Sequence, residues 1–406
     1  MTIGVGGSDA QTELDKLSNM TATVQAIQLP EYQQRIKKAQ QRMAELGWDA
    51  LYLHAGPNMS YFTGTHWRPS ERLVGALLMA DGQVQYIAPH FEIGTLDDFM
   101  TVVGEVKGWQ EHESPFQLLA EWFKSSGIKT VGLDENLNFT MFSALNKACE
   151  HISPDTQFED GQAVSQYVRS RKSENEIALM QVAKDMTLEV HKAAAKILRP
   201  GISTAEVTSF INQAHQKVGA AQGSYFCIVL FGEDSAFPHG VRSPNPLAEN
   251  DMVLIDTGCM VEGYISDITR SYVFGEPNDR QREVWVAEKL AQAAAFEAAQ
   301  LGVPCEVADQ AARDELEKHG FGPEYDLPGL PHRTGHGIGL QIHEGPYLVR
   351  GDKTPLDVGM CFSNEPMIAA PGEFGVRLED HFYMTAQGPK WFTEPSYSID
   401  DPFGGG

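Results

Sequence analysis

The sequence predicts an α/β protein of two domains behind a short amino-terminal arm, and three observations carry that reading. Helical and strand-like segments alternate up to about residue 165, a helix-start signal at Ser173 opens a new unit, and the last part of the chain is glycine-rich and strand-like. With 406 residues and 42% hydrophobic content the chain can bury more than one core, and length alone favours two or three domains.

Residues 1–28 are polar and mixed, the composition of an arm or a short dimerisation element. From Glu31 to Leu46 the residues Ile36, Ala39, Met43 and Leu46 recur at helical spacing, and Gly47 stops the helix. ALYLHAG and LVGALLMADGQVQYIAP read as strands, the second pair joined by a turn at Asp81 and Gly82. QLLAEWFKSSG followed by IKTVGLD repeats the order helix then strand, so residues 29–165 form an α/β domain of their own. Ser173 with Glu176, and Ser203 with Glu206, have capping-box spacing and open two helices of a second domain over 166–400. Strand-like ENDMVLIDTG and ITRSYVFG follow, then helices from about Arg280 to Gln300 and from about Glu306 to His319. The alanine-rich AEKLAQAAAFEAAQ reads as a helix lying close against a sheet.

Several function classes are disfavoured at once. The net charge is -24 with no long basic run, which argues against nucleic acid as a partner. No apolar run approaches the roughly 18 residues needed to cross a bilayer, and the start lacks a basic segment followed by an apolar one. Five cysteines without a CxxC pair read as free thiols in a reducing compartment, so a cytoplasmic protein with no membrane partner is expected. HGIG and the early GVGG lack the spacing of phosphate loops.

Five acidic or imidazole side chains stand out together. Asp256 ends an apolar run, and Asp267 follows eleven residues later, so a shared site needs a turn between them; Gly258, Gly263 and their polar neighbours supply one. His336 sits among glycines that let the backbone come close to a ligand, and Glu365 and Glu379 follow strand-like segments. Four converging carboxylates repel one another and are costly to bury, a cost that bound cations remove. Such an oxygen-dominated set suits manganese or cobalt and tolerates zinc, and two ions about 3.5 Å apart can share a hydroxide between them.

The sequence resembles the pita-bread metallopeptidase family, which includes prolidase, aminopeptidase P, methionine aminopeptidase and the metal-free creatinase. PHG at 238–240, DTGCMVEGYISDITR at 256–270, HRTGHGIGLQIHEGP at 332–346, NEPM at 364–367 and VRLED at 376–380 match its motifs in order. The resemblance implies a creatinase/prolidase-like amino-terminal α/β domain and a carboxy-terminal pita-bread α+β catalytic domain. It puts two divalent metal ions per subunit on Asp256, Asp267, His336, Glu365 and Glu379, with Glu365 also shuttling protons. His239 then lies near the substrate, His332 lines the proline pocket, His343 stabilises the reacting carbonyl and leaving group, and Arg377 braces the site or approaches substrate. From the amino-terminal domain, Trp67 and Arg68 can offer an aromatic wall and a cation for a substrate carboxylate. Plainer readings stand beside these: Arg377 can simply neutralise a neighbouring carboxylate, and Trp67 can be an ordinary half-exposed aromatic. The implied activity is hydrolysis of the Xaa-Pro bond in dipeptides by a homodimer. Xaa-Pro aminopeptidase action on longer peptides, or hydrolysis of a small non-peptide amide or compatible solute on the same scaffold, are the alternatives.

Overall fold

The computed structural model describes residues 2–405, which divide into two compact units, one from Ala26 to Arg169 and one that joins the stretch up to Gln25 to everything from Ser170.

In the Ala26–Arg169 unit the helix Leu29–Leu46 buries Ile36, Ala39 and Met43, and Gly47 ends it at φ 71°, a left-handed cap that glycine adopts without a Cβ penalty. Leu46, on the last turn, stays exposed. Six strands form one mixed sheet in the order Val106–Trp109, Val84–Pro89, Gly75–Met79, Ala50–His54, Thr130–Leu133, Gln157–Asp160. Gly75–Met79 pairs antiparallel with both Ala50–His54 and, through the hairpin turned at Asp81 and Gly82, Val84–Pro89; Val106–Trp109, Thr130–Leu133 and Gln157–Asp160 each join in parallel. Tyr52, Leu77, Ile87, Phe123 and Val131 centre the core. Burying side chains of this size contributes about 1.5–3 kcal/mol each. The unit ends at Arg169 rather than near 165 because the helix Gln162–Arg169 buries Val164 and Val168, and Arg169 Nη1 donates to Asn58 Oδ1 at 2.7 Å.

In the second unit both capping boxes form, with Glu176 N–H donating to Ser173 Oγ at 3.2 Å and Glu206 N–H to Ser203 Oγ at 3.2 Å. The helices Glu174–Lys196 and Thr204–Val218 pack on a three-stranded antiparallel sheet, Ile268–Val273, Met252–Gly258 and Phe226–Phe231. A five-stranded sheet runs Glu344–Leu348, Gly335–Gly337, Cys361–Asn364, Asp380–Thr385, Gly388–Trp391, and Met367–Ala370 pairs with Phe374–Arg377 as a separate ribbon. Helix Asp279–Ala298 buries Ala287, Ala291 and Ala295, and these small side chains let it lie close on the strands that hold the candidate site. The initial segment is not a free arm. Its short helix Ala10–Lys16 buries Leu14, while Gly6 N–H donates to Ala195 O at 2.9 Å and Met20 N–H to Val218 O at 2.8 Å, so it is laid along the ends of two helices. Among the described residues no helix is long and apolar enough to cross a membrane.

Candidate metal centre

Strand Met252–Gly258 is buried throughout, so Asp256 sits in an apolar setting from the outset. In its antiparallel register with Ile268–Val273, Asp256 faces Thr269, and Asp267 is two residues before Thr269, hence on the same face. A two-stranded ribbon, Met260–Val261 with Tyr264–Ile265, makes the connection. Its turn is Glu262 at φ 49° and Gly263 at φ 86°, both left-handed as the tight hairpin turn requires. Gly258 does a different job from the turn role expected of it: it is in the strand, where a Cβ would lie 1.7 Å from Ser266 O.

His336 occupies the three-residue strand Gly335–Gly337, where a Cβ on Gly335 would meet Ser363 O at 2.0 Å. The glycines therefore exist for close strand approach as well as for an unobstructed imidazole. His336 Nδ1 lies 3.0 Å from Gly337 O. A carbonyl only accepts, so Nδ1 carries the hydrogen and, in the neutral ring, Nε2 carries a lone pair. That Nε2 lies 3.2 Å from Glu365 Oε1 and 3.6 Å from Asp267 Oδ2. Glu365 is fixed at its backbone, where its N–H donates to Thr334 O at 2.8 Å. Glu379 accepts from Thr269 Oγ1 at 2.8 Å and from Ser363 Oγ at 2.9 Å. Donor atoms of Asp267, His336 and Glu379 all lie within 4.8 Å of one another.

The electrostatics ask for a cation. Burial pushes Asp256, Asp267 and Glu379 above the usual carboxylate range; Glu379 adds to this at Asp267, Glu365 adds to it at Glu379, and Arg377 opposes it at Asp256. At Glu365 burial is outweighed by the neighbouring His336 and His332 rings and the Arg377 guanidinium, and the carboxyl falls to about 2. Asp256 Oδ1 and Asp267 Oδ1 are buried without a hydrogen-bond partner. Buried carboxylates with unpartnered oxygens, clustered with an imidazole, fit divalent cations, which let every carboxylate ionise at once.

The remaining residues from the sequence fall into two groups. Arg377 is buried, with Nη2 2.5 Å from Asp256 Oδ2, Nε donating to Thr269 Oγ1 at 3.1 Å and Nη1 to Pro238 O at 3.3 Å, so here it braces Asp256 and Thr269. The ring of His343 stands edge-on to His336 with centroids 4.3 Å apart. His332 is half-buried and donates from Nδ1 to Arg333 O at 2.7 Å, burial holding it below the usual histidine value. Burial, with the neighbouring His336 adding to it, brings His343 down to about 4, and His239 is exposed. Trp67 and Arg68 belong to the other unit, where Trp67 is half-buried against Phe99 at 5.9 Å and Arg68 is exposed.

Sequence reasoning missed the residues that hold the candidate ligands. Thr269 and Ser363 each lie two residues from a candidate ligand, Asp267 and Glu365, and strand alternation could have placed Thr269 on the same face as Asp267. Asp309, on the helix Glu306–Lys318, had no signal at all. Its Oδ1 accepts from Thr334 N–H at 3.1 Å and Oγ1 at 2.8 Å, which fixes the residue whose carbonyl holds Glu365. Its partner Arg313 donates to Asp309 Oδ2 at 3.0 Å, to Leu330 O at 3.2 Å and to His332 O at 2.6 Å, tying down the loop that carries His332.

Comparison with known proteins agrees with this geometry. Residues 178–386 match the model of metallopeptidase family M24, and residues 35–171 match the creatinase/prolidase N-terminal domain. An Xaa-Pro dipeptidase of Lactobacillus delbrueckii subsp. lactis is 33% identical over 371 residues, 90% of this chain and 98% of that protein. A dipeptidase from Mycobacterium ulcerans superposes with a TM-score of 0.84 at 30% identity, covering 91% of this chain and 97% of its own. An X-Pro aminopeptidase from Thermotoga maritima MSB8 superposes with a TM-score of 0.71 at 26% identity, covering 87% and 97%. Motif order, ligand geometry and these likenesses lead to one conclusion: the chain is an enzyme of metallopeptidase family M24, built from a creatinase/prolidase N-terminal domain and a metallopeptidase domain.

Proposed function

We propose that the chain is an Xaa-Pro dipeptidase that holds two divalent ions, manganese first among them with cobalt or zinc as alternatives, on Asp256, Asp267, His336, Glu365 and Glu379. The observation that carries the metal reading is the convergence of Asp267, His336 and Glu379, whose donor atoms lie within 4.8 Å of one another, beside the buried, unpartnered oxygens Asp256 Oδ1 and Asp267 Oδ1. Two of the named relatives, dipeptidases at about this chain's own length, support the substrate class. When bound, the ions supply Lewis acidity for the scissile carbonyl and lower the pKa of the attacking water. Glu365 is then the proton carrier. Its carboxylate, kept ionised beside His336, takes the proton of the water and delivers it to the prolyl nitrogen as the bond breaks. His343 stabilises the reacting carbonyl, His332 lines the proline pocket, and His239 sits at the substrate edge. Arg377 acts through Asp256 and Thr269. The working form is a cytoplasmic homodimer, a reading that rests on the family resemblance and is checked by sedimentation velocity.

Metal-stripped protein reconstituted with manganese is assayed on Gly-Pro, Ala-Pro and Arg-Pro-Pro. Cleavage of the dipeptides with little attack on the tripeptide is the expected result. Preference for the tripeptide moves the assignment to an Xaa-Pro aminopeptidase, the reading that the Thermotoga structure favours. No turnover with manganese bound overturns both and directs attention to small amides or compatible solutes.

A further inference from the structure

Glu365 and Glu379 sit on separate strand ends, and nothing in their covalent connection sets the distance between them. One side chain of the helix Asp279–Ala298 spans both. Gln292 Nε2 donates to Leu378 O at 3.0 Å, the peptide that leads into Glu379, and lies 3.5 Å from Asn364 O, the peptide that leads into Glu365. The same nitrogen donates to Asp380 Oδ2 at 3.1 Å, and Asn364 Nδ2 donates back to the backbone carbonyl of Gln292 at 2.9 Å. Asn364 and Asp380 are cross-strand partners, and Asp380 Oδ1 is held by Arg270 Nη2 at 2.7 Å. Gln292, Asn364 and Asp380 are all at most 1% exposed. Carbonyl and carboxylate oxygens only accept from nitrogen, so the amide orientation of Gln292 is determined and its two hydrogens are fully used.

We propose that Gln292 is a positioning residue that sets the separation of Glu365 and Glu379, and through it the affinity of the centre for divalent ions. The inference rests on the reading of both glutamates as metal ligands. An apolar residue of the same length would take Gln292's two hydrogens from Leu378 O and Asp380 Oδ2 and leave the two ligand-bearing peptides joined only through the strand pairing of Asn364 with Asp380. Outer partners of this kind typically change metal affinity by about 10- to 100-fold.

The test is a manganese titration by calorimetry of the full-length, metal-stripped protein and of Gln292→Met, together with melting temperatures with and without manganese. A residue that merely anchors the helix lowers both melting temperatures equally; a positioning residue also shrinks the rise that manganese produces. For Gln292→Met the expected result is a manganese Kd weaker by at least about tenfold and a smaller metal-induced rise. Gln292→Asn, which keeps the amide but is one methylene short, is measured in the same way and serves if the methionine variant does not fold. Wild-type affinity with an unreduced metal-induced rise in the folded variants overturns the proposal while leaving the metal centre intact. Failure of both variants to fold, with or without manganese, assigns Gln292 to the fold and also overturns it. If the wild-type protein takes up no manganese, it is the metal reading itself that fails.

Discussion

Arg377 and Asp256 form a buried ion pair, Nη2 to Oδ2 at 2.5 Å, that ties the first aspartate of the centre to the ribbon leading into its last glutamate. The same guanidinium reaches Thr269 Oγ1, whose hydroxyl in turn donates to Glu379. A planar fork can serve these acceptors together, and an ammonium cannot. Arg377→Lys should therefore lower kcat at least about tenfold while moving KM less than about twofold, because the group braces ligands away from substrate. Steady-state kinetics at saturating manganese decide it, and a raised KM with unchanged kcat would show that Arg377 contacts substrate instead.

Ser363 and Thr269 hold the two oxygens of Glu379. Ser363→Ala and Thr269→Val should each weaken manganese binding by about 10- to 100-fold, with the melting temperature of the metal-free protein little changed. Calorimetric titration measures the first and thermal unfolding in chelator the second. Unaltered affinity in both variants would mean that Glu379 is oriented by its backbone alone.

Glu288 lies on the helix Asp279–Ala298, fully buried, with neither carboxyl oxygen hydrogen-bonded. Burial pushes it well above the usual carboxylate range, so the native protein holds a proton that the unfolded chain releases. Its contribution to stability is then complete below the unfolded value of about 4.3 and is lost as pH rises toward the folded value. Glu288→Gln keeps the shape without the titration. Relative to that variant, the wild-type protein should lose stability as pH rises from 4 to 8, measured by denaturant unfolding at fixed ionic strength. Parallel stability curves would show that Glu288 is charged in the native state.

Arg313 and Asp309 form a pair at 3.0 Å, at most 2% exposed, that holds both the His332 loop and Thr334. Removing the guanidinium leaves a buried carboxylate, which costs about 3–5 kcal/mol. Arg313→Met should melt lower and show a raised KM for dipeptides, because the loop that carries His332 loses three of its anchors. A lower melting temperature with unchanged KM would limit the pair to a structural role.

Much of this protein was legible from local chemistry. Gly47, the two capping boxes and the Asp81–Gly82 turn each act within a few residues, so spacing alone located the elements they bound. The five candidate ligands stand out in the sequence for another reason, since carboxylates and a histidine at the ends of apolar runs are costly unless something neutralises them, and the fold clusters Asp267, His336 and Glu379 among them. What only the tertiary structure decided is how those ligands are held. Thr269, Ser363, Gln292 and Asp309 are ordinary polar residues in sequence, and each acquires its role from a partner across a strand pair or from a helix remote in the chain. The docking of the first residues along two helix ends, and the boundary after Arg169, likewise depend on hydrogen bonds between distant segments. Periodicity and caps report what a residue does to its own neighbourhood; register and packing set which distant groups it meets, and no local pattern encodes that.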